Sequence, residues 1–429
     1  MVSDYIDTFY KRTLGDAHTR YDALAGLADT EVCVVGGGLA GLTAALELAR
    51  RGRQVTLLEA RRVGWGASGR NGGSVSPAFS AGADLIRKRV GQRGYEALYR
   101  LSIEGVEIIR ANIRDLAIDD ARKVDGRLRV LRYDDTDALR RYCDEQRQFG
   151  RDVQLLARDE VRELLRSEAY FQGIYDPASF HFHPLNYARA LARECVRLGV
   201  RIHEDSPVRS ADLAGAVKRL ATPEATIEAQ TVLIATGGYA DGLVPALRRA
   251  MLPIATYIML TEPLGERVRE AIRTDAAIGD TRRAGNYYRV VEGGRISWGS
   301  HITTRIDDPP DLAESLRAEL LSVYPQLAGV RVEVAWSGRM SYARHLMPQI
   351  GRLQPGVWYC TAFGGHGMNT TAIGGRVVAE GICGESERYR QFAPFGLDWN
   401  GGPLGTAAVQ MTYWSYQARD WLRERRSRA

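Results

Sequence analysis

The sequence predicts an α/β protein in which a discontinuous, Rossmann-like nucleotide-binding domain carries an inserted α+β domain built on an antiparallel sheet. Three stretches predict it. Glu31–Glu59 reads strand, glycine turn, helix, strand, acid. A second glycine-rich helix start, Phe363–Met368, lies far downstream and can return to the same ligand. Between them Ile254–Thr261, Tyr287–Glu292 and Arg295–Gly299 alternate as strands do, with Gly293-Gly294 as a hairpin turn.

The opening unit carries the most chemistry. Val32-Cys33-Val34-Val35 suits a buried parallel strand and breaks into Gly36-Gly37-Gly38-Leu39-Ala40-Gly41. Leu42, Ala45, Leu46 and Ala49 recur at helical spacing, Gly52 ends the helix, and Val55-Thr56-Leu57-Leu58 stops on Glu59. Gly-x-Gly-x-x-Gly has meaning only in this setting. Gly36 permits the tight turn, Gly38 lets backbone approach a pyrophosphate, and Gly41 lets helix and strand pack closely. The helix start offers unpaired N–H groups and a positive dipole end to phosphate. Glu59 stands where a carboxylate accepts from both ribose hydroxyls. An ADP-containing dinucleotide is the expected ligand.

Composition narrows the class. The 429 residues exceed one ordinary core, and 45% hydrophobic with 26% charged residues is globular composition. A net charge of +6 without a basic run interleaved with aromatics gives no sign of nucleic acid. Only Lys11, Lys88, Lys123 and Lys218 are lysines, so the cations are arginines, which do not serve as neutral bases. Cys33, Cys143, Cys195, Cys360 and Cys383 are scattered with no C-x-x-C, which favours buried thiols in a cytoplasmic protein over disulfides or a metal. No run approaches the ~20 apolar residues of a membrane span, and the polar N-terminus has no signal-peptide core.

Residues 1–29 read as an irregular leader anchored by Tyr5, Phe9, Tyr10 and Tyr21. Arg61–Gly73 is too rich in glycine and small polar residues for a regular element and reads as a loop wrapped around something. Residues 83–118 and 134–166 read as helices, with a strand over Gly126–Arg132. His181 and His183 stand two apart before a helix over 185–198; with no third ligand nearby a polar role outweighs a metal. Val200–Glu204 and Thr231–Gly238 read as strands, the second ending in small residues near the dinucleotide. Helices follow over 311–323 and 369–383, and the tail from Phe395 carries Trp399, Trp414 and Trp421 before an arginine-rich end, read as a solvated helix end. The expected division is 30–82, 155–245 and 340–390 for the cofactor domain, 83–154 and 246–339 for the substrate domain, and 391–429 for a C-terminal extension.

Together these residues resemble the D-amino-acid oxidase-like family of flavoproteins, and within it the γ-glutamylputrescine oxidase branch. The likeness spans nearly the whole chain through Val32–Gly38, Gly66–Gly73, His183–Asn186, Tyr287-Tyr288-Arg289, Pro348–Leu353, Gly365-His366-Gly367 and the tail after residue 400. It implies a glutathione-reductase-type domain binding FAD in extended form. Gly36, Gly38, Leu39, Ala40 and Gly41 would lie at the pyrophosphate, with Glu59, Ala60 and Arg61 at the adenosine and Val208 facing the adenine. Ala67, Ser68, Arg70, Asn71, Gly72 and Gly73 would follow the ribityl chain. Ala235, Thr236, Gly237 and Gly338 would approach the cofactor, and Gly364, Gly365, His366, Gly367 and Met368 would sit at the pyrimidine end. There a helix start stabilises negative charge on reduced flavin.

The resemblance also implies an activity: oxidation of a C–N bond next to an amine, the imine hydrolysing to an aldehyde or keto acid plus amine, with O2 reduced to H2O2. Three departures matter. No Cys stands in Gly338-Arg339-Met340-Ser341 and no His in Gly64–Gly72, so FAD is expected to be non-covalent. Ser297 replaces the lysine that sarcosine oxidases place over the flavin, with His301 retained, which leaves oxidase and dehydrogenase both open. Arg339 stands where glycine oxidase-like enzymes hold a substrate carboxylate; it either does so here or pairs with an acid of the fold. On the first alternative the substrate is a small amino-carboxylate, an N-substituted glycine or iminodiacetate type, positioned by Arg339 and His301 with Tyr257 and Tyr288 as walls. The rivals are a γ-glutamylputrescine-type amine oxidase, a dehydrogenase donating to quinone or a carrier protein, and a flavin-binding sensor or assembly subunit without turnover.

Overall fold

Two sheets organise the chain. The computed structural model describes residues 4–15, 19–239, 242–282 and 285–428, so residues 1–3 and 16–18 of the expected leader lie outside it. The eight-stranded sheet runs in the order Gln349–Gln354, Val357–Thr361, Ala225–Ile234, Gly26–Val35, Val55–Leu58, Arg201–His203, with Lys218–Ala221 and Ser210–Asp212 extending from Ala225–Ile234. Gly26–Val35 pairs in parallel with Ala225–Ile234 on one side and Val55–Leu58 on the other. Parallel strands covered on both faces need continuous apolar runs, and Val32–Val35 and Val55–Leu58 are buried throughout.

Helices Leu39–Arg50 and Gly367–Cys383 pack across each other on this sheet. Glycine makes the crossing possible: a Cβ on Gly375 would stand 2.8 Å from Thr43 Cβ and 3.0 Å from the Ala40 carbonyl. From that crossing the downstream helix still runs eight residues back to its start, about 12 Å along the axis. The two helix starts are therefore offset, as the ends of an extended ligand require.

The nine-stranded sheet runs Val332–Tyr342, Leu252–Thr261, Arg295–Thr303, Tyr287–Val291, Ala277–Asp280, Val124–Val130, Gly173–His181, Ser74–Val75, with Gln154–Leu156 on Gly173–His181. Alternation divides its faces. Leu128, Ile278, Tyr288, Trp298 and Met259 lie directly opposite one another from strand to strand and form one apolar core with Leu316 and Leu320 of helix Leu312–Val323. The other face looks toward the Arg70–Gly73 loop.

Several boundaries differ from expectation. The expected helix over 134–166 is two, Thr136–Gln148 and Arg158–Leu164, with strand Gln154–Leu156 between them. Gly150, at φ 73°, stops the first by taking the left-handed conformation. Gly91, also at φ 73°, interrupts Ala83–Asp115. Residues 154–181 pair into the second sheet, so the boundary expected at 155 falls later, because Gly173–His181 finds its ladder on Val124–Val130. The leader is not wholly irregular. It holds helix Phe9–Arg12 and ends in the first strand at Gly26, with Tyr5, Phe9 and Tyr10 buried. The tail forms helix Gly402–Arg428, held to the body by Glu424 bridging Arg132 and Arg282 and by Gln410 accepting from Thr303 and Thr304.

Candidate functional site

The glycine turn is built as close as backbone allows. Gly36, at φ 113°, sits under Ala235, whose carbonyl oxygen would lie 2.8 Å from a Cβ there. A Cβ on Gly41 would come 2.0 Å from the Gly36 carbonyl oxygen. Gly38 is extended and places no side chain over the helix start; Ser68 Oγ accepts from the Leu39 N–H at 2.9 Å. The first-turn N–H groups of Ala40 and Gly41 have no intrahelical acceptor and face outward.

Glu59 is fixed beside this turn. One carboxylate oxygen accepts from Gly37 N–H at 2.7 Å and the other from Arg61 N–H at 2.9 Å. Burial raises its pKa against these two bonds, and nearby Glu204 raises it further. Ser206 N–H donates to the Glu59 carbonyl, which brings Val208 alongside, and Ala60 and Arg61 continue the same edge with the Arg61 guanidinium 4.2 Å over the Trp65 ring. Ala235 N–H bonds Val35, and the Thr236 carbonyl accepts from Thr361, so Ala235–Gly237 runs past the turn.

Ala67–Gly73 wraps from this edge onto the second sheet. Asn71 ties the loop to itself, donating to the Ala67 and Ser68 carbonyls and accepting from Gly73 N–H. Trp336 Nε1–H donates to the Arg70 carbonyl at 2.9 Å, and Gly338 lies against the Arg70 side chain. A Cβ on Gly72 would stand 2.9 Å from the Tyr287 ring. Beyond the loop, Gly365 N–H donates to Ser80 Oγ, and Gly364 and Gly365 lie against Ser80 and Tyr342. His366, Gly367 and Met368 then open the helix. Burial, reinforced by Arg127 and Arg129, pushes the His366 pKa down to about 4.

Of the four side chains expected to position substrate, the structure brings one to the edge of the loop. The Arg339 N–H donates to Tyr239 Oη at 3.0 Å, its guanidinium lies over the Tyr239 ring, and it has no carboxylate partner among the described residues. Tyr288 and Tyr257 turn into the far core. The Tyr288 hydroxyl bonds Tyr170 and Tyr324, its ring stacks on Trp298, and Tyr257 packs in the same cluster. His301 Nε2 stands 3.4 Å from Ser315 Oγ on the helix covering that face. The reason is period two: one register step separates Tyr288 from Tyr287, and Tyr287 faces the loop.

Sequence reasoning named Tyr10 as an anchor of the leader, and Tyr287 and Arg289 within a motif, but gave none of the three a place in the site. Tyr10 donates to the Asn71 carbonyl at 2.5 Å, so the leader braces the loop. Arg289 is 4% exposed. It donates to His181 Nδ1, the Phe182 carbonyl and Tyr10 Oη, and no carboxylate among the described residues neutralises it. Alternation along Tyr287-Tyr288-Arg289 was the available signal.

The site fits a dinucleotide on the chain's own terms: backbone that admits no side chain, an open helix start, a fixed acid beside it, and a second helix start offset along the same line. The sequence pattern described as FAD dependent oxidoreductase (DAO) matches residues 31–381. A probable oxidoreductase OrdL of Haemophilus influenzae is 33% identical over 380 residues, covering 87% of each chain. The gamma-glutamylputrescine oxidoreductase of Escherichia coli is 32% identical, covering 91% of this chain and 92% of that one. The crystal structure of glycine oxidase from Geobacillus kaustophilus superposes with a TM-score of 0.73 at 21% identity, over 86% of this chain and 99% of that one. Among the described residues no helix is long and apolar enough to cross a membrane, and no group of His, Cys, Asp and Glu is arranged to hold a metal. The chain belongs to the DAO family of FAD-dependent oxidoreductases, enzymes of the amine and amino acid oxidase type, and its cofactor is FAD, held without a covalent bond.

Proposed function

We propose that the chain oxidises the C–N bond of a small amine-bearing carboxylate, of the N-substituted glycine or iminodiacetate type, with O2 as acceptor, in the cytoplasm. Bound FAD supplies a hydride acceptor, and the imine released hydrolyses to an aldehyde or keto acid plus amine. Gly36–Gly41 and Glu59 hold the adenosine diphosphate half, Ala67–Gly73 the ribityl chain, and Gly364–Met368 the pyrimidine end. The observation that carries the substrate class is Arg339, a guanidinium beside the Arg70 loop without a carboxylate of the fold to neutralise it. Its Nη2 donates to the Ile306 carbonyl at a long 3.4 Å, and an arginine without a carboxylate partner can exchange such a contact for a planar carboxylate held through two parallel hydrogen bonds.

The protein's remaining task is to deliver a neutral amine, because an ammonium has no lone pair to support loss of hydride. The burial and cations that push His366 down to about 4 act on a bound ammonium in the same direction and favour loss of its proton. Tyr287, lying over Gly299 and against Gly72, supplies a flat apolar floor that excludes water and orients the C–H bond.

The test is an anaerobic panel of amines and amino acids, read by bleaching of the flavin absorbance, followed by hydrogen peroxide yield in air. The proposal expects bleaching by amino-carboxylates, stoichiometric peroxide, and a loss of about tenfold or more in kcat/KM in Arg339→Ala. The identity to gamma-glutamylputrescine oxidoreductase favours a second reading, oxidation of a γ-glutamylated diamine. Turnover of such a cationic substrate that survives Arg339→Ala would select it, and bleaching without peroxide would select a dehydrogenase.

A further inference from the structure

We infer that Arg127 and Arg129 form an anion site on the working face of the second sheet, which receives a carboxylate that the substrate carries away from its reacting C–N bond. The inference rests on the reading of the site as an FAD-dependent amine oxidase and names what its substrate must carry.

Register places both arginines on the working face of the second sheet. Arg129, Gly279, Tyr287, Gly299, Ile258 and Trp336 lie directly opposite one another across six adjacent strands. Tyr287 and Trp336 in that row are the residues on which the Arg70–Gly73 loop rests. Arg127, two residues before Arg129, shares its face. Gly279 has no side chain, and Arg127 Nη2 lies 3.4 Å from where a Cβ would be, so its guanidinium extends over Gly279. Both cations reach far enough to depress His366 at the second helix start.

Neither arginine is neutralised. Elsewhere the buried and half-buried arginines have polar partners: Arg51, Arg376 and Arg388 meet Glu47, Glu104 and Glu380 around a surface cavity of about 600 Å³, Arg132 meets Asp280 and Glu424, and Arg70 and Arg289, which lack acids, donate instead to the Trp65 and Phe182 carbonyls. Arg127 makes no hydrogen bond or ion pair among the described residues, although Asp176 stands opposite it on the neighbouring strand. Asp176 is held by Arg151 and Ser179 instead. Among the described residues the Arg129 guanidinium makes no hydrogen bond or ion pair and lies over the Tyr142 ring, 5.4 Å from its centroid. Leaving two adjacent cations partly buried and unpaired is costly in a resting fold, and the cost is relieved by an anion that arrives with the substrate.

Arg339 lies on the edge strand that carries Trp336, and five inter-strand steps, about 24 Å between backbones, separate that strand from Arg129. Arg339 stands opposite Ala255, a residue of the far core, so the Arg127–Arg129 site is separate from it, a small diacid occupies one of the two at a time, and the carboxylate that Arg127 and Arg129 take is one remote from the reacting C–N bond.

The experiment uses the FAD-loaded enzyme and glutarate, a dianion with no nitrogen to oxidise. Binding is read by the flavin difference spectrum and by the rise in melting temperature. The inference expects saturable binding that weakens about tenfold or more in Arg127→Gln, in Arg129→Gln and in the double variant, and recovers in Arg129→Lys. With an amine substrate bearing a remote carboxylate, the same variants raise KM and leave kcat within about threefold, because a remote group contributes equally to ground and transition states. Equal glutarate affinity in wild type and variants, or a loss confined to kcat, overturns the inference while FAD binding stands. Wild-type protein that takes up no FAD overturns the underlying reading instead. Arg129→Gln, at a partly exposed position, keeps the test decisive should the double variant fail to fold.

Discussion

Gly41→Ala tests the cofactor cradle at its tightest point. The added methyl would sit 2.0 Å from the Gly36 carbonyl oxygen and 3.2 Å from Val34 Cγ1, against an ordinary contact of 3.4–4 Å. The nearest atom is backbone, held by Gly36 N–H donating to the Leu58 carbonyl, so no side chain can rotate away. The helix must lift from the turn by about 1 Å or more, an overpacking that costs roughly 1–3 kcal/mol of stability. The same lift carries the Ala40 and Gly41 N–H groups off the pyrophosphate position, and each hydrogen bond lost to a charged oxygen costs about 1.5–3 kcal/mol of binding. FAD titration of the apoprotein, followed by quenching of flavin fluorescence, should show affinity lowered by about tenfold to a hundredfold. Gly52→Ala is the control. Gly52 is also at positive φ, 74°, but nothing lies within 4 Å of its Cβ position, so only backbone strain of about 1–2 kcal/mol is expected and FAD affinity stays put. A Gly41→Ala protein that binds FAD within threefold of wild type would refute the reasoning.

Tyr288→Phe should destabilise by about 1–3 kcal/mol, since it strips a buried hydroxyl from Tyr170 and Tyr324, and leave kcat/KM unchanged, whereas Tyr287→Ala should change the kinetics; urea melts and steady-state rates separate the two, and the reverse pattern would contradict the assigned faces. Burial and Arg289 hold His183 down to about 3 in the folded chain, so the unfolded chain binds the extra proton as pH falls through 6.5 and stability drops with it. The cost on going from pH 7 to pH 5 is about 2 kcal/mol. His183→Asn can keep the cap on Asn186 N–H and should shrink the pH 7-to-5 difference by that amount; an unchanged difference would contradict it. Glu424→Gln leaves Arg282 and Arg132, the latter 2% exposed, short of a charge partner and should loosen the tail helix by about 3 kcal/mol, read as earlier proteolytic cleavage within residues 402–428.

What the sequence could show followed how local the physics is. The opening turn was legible because strand, glycine spacing, helix and Glu59 each constrain their neighbours within thirty residues, and the parallel pairing and helix packing follow from them. The Gly364–Met368 helix start was legible as a motif, and its offset from Leu39 emerges only from the Gly375 crossing. The substrate side was poorly legible because a strand's face is decided by its partners. Tyr287 and Tyr288 are chemically alike, and only the register against Gly279 and Gly299 shows which one meets the loop. Arg127 and Arg129 read as the polar half of an alternating strand, which fits a solvated edge equally well. Their lack of acid partners is visible only once Asp176 is seen to be engaged by Arg151. The helix expected over 134–166 failed at Gly150, where one left-handed residue outweighed the propensity of the flanking segments.

The most direct measurement of the central claim is the flavin content of the purified chain after incubation with FAD and removal of excess. The convergence of Gly36–Gly41, Ala67–Gly73 and Gly364–Met368 predicts one FAD per chain, released intact into the supernatant when the protein is precipitated with acid. Protein that remains colourless after that incubation would contradict it.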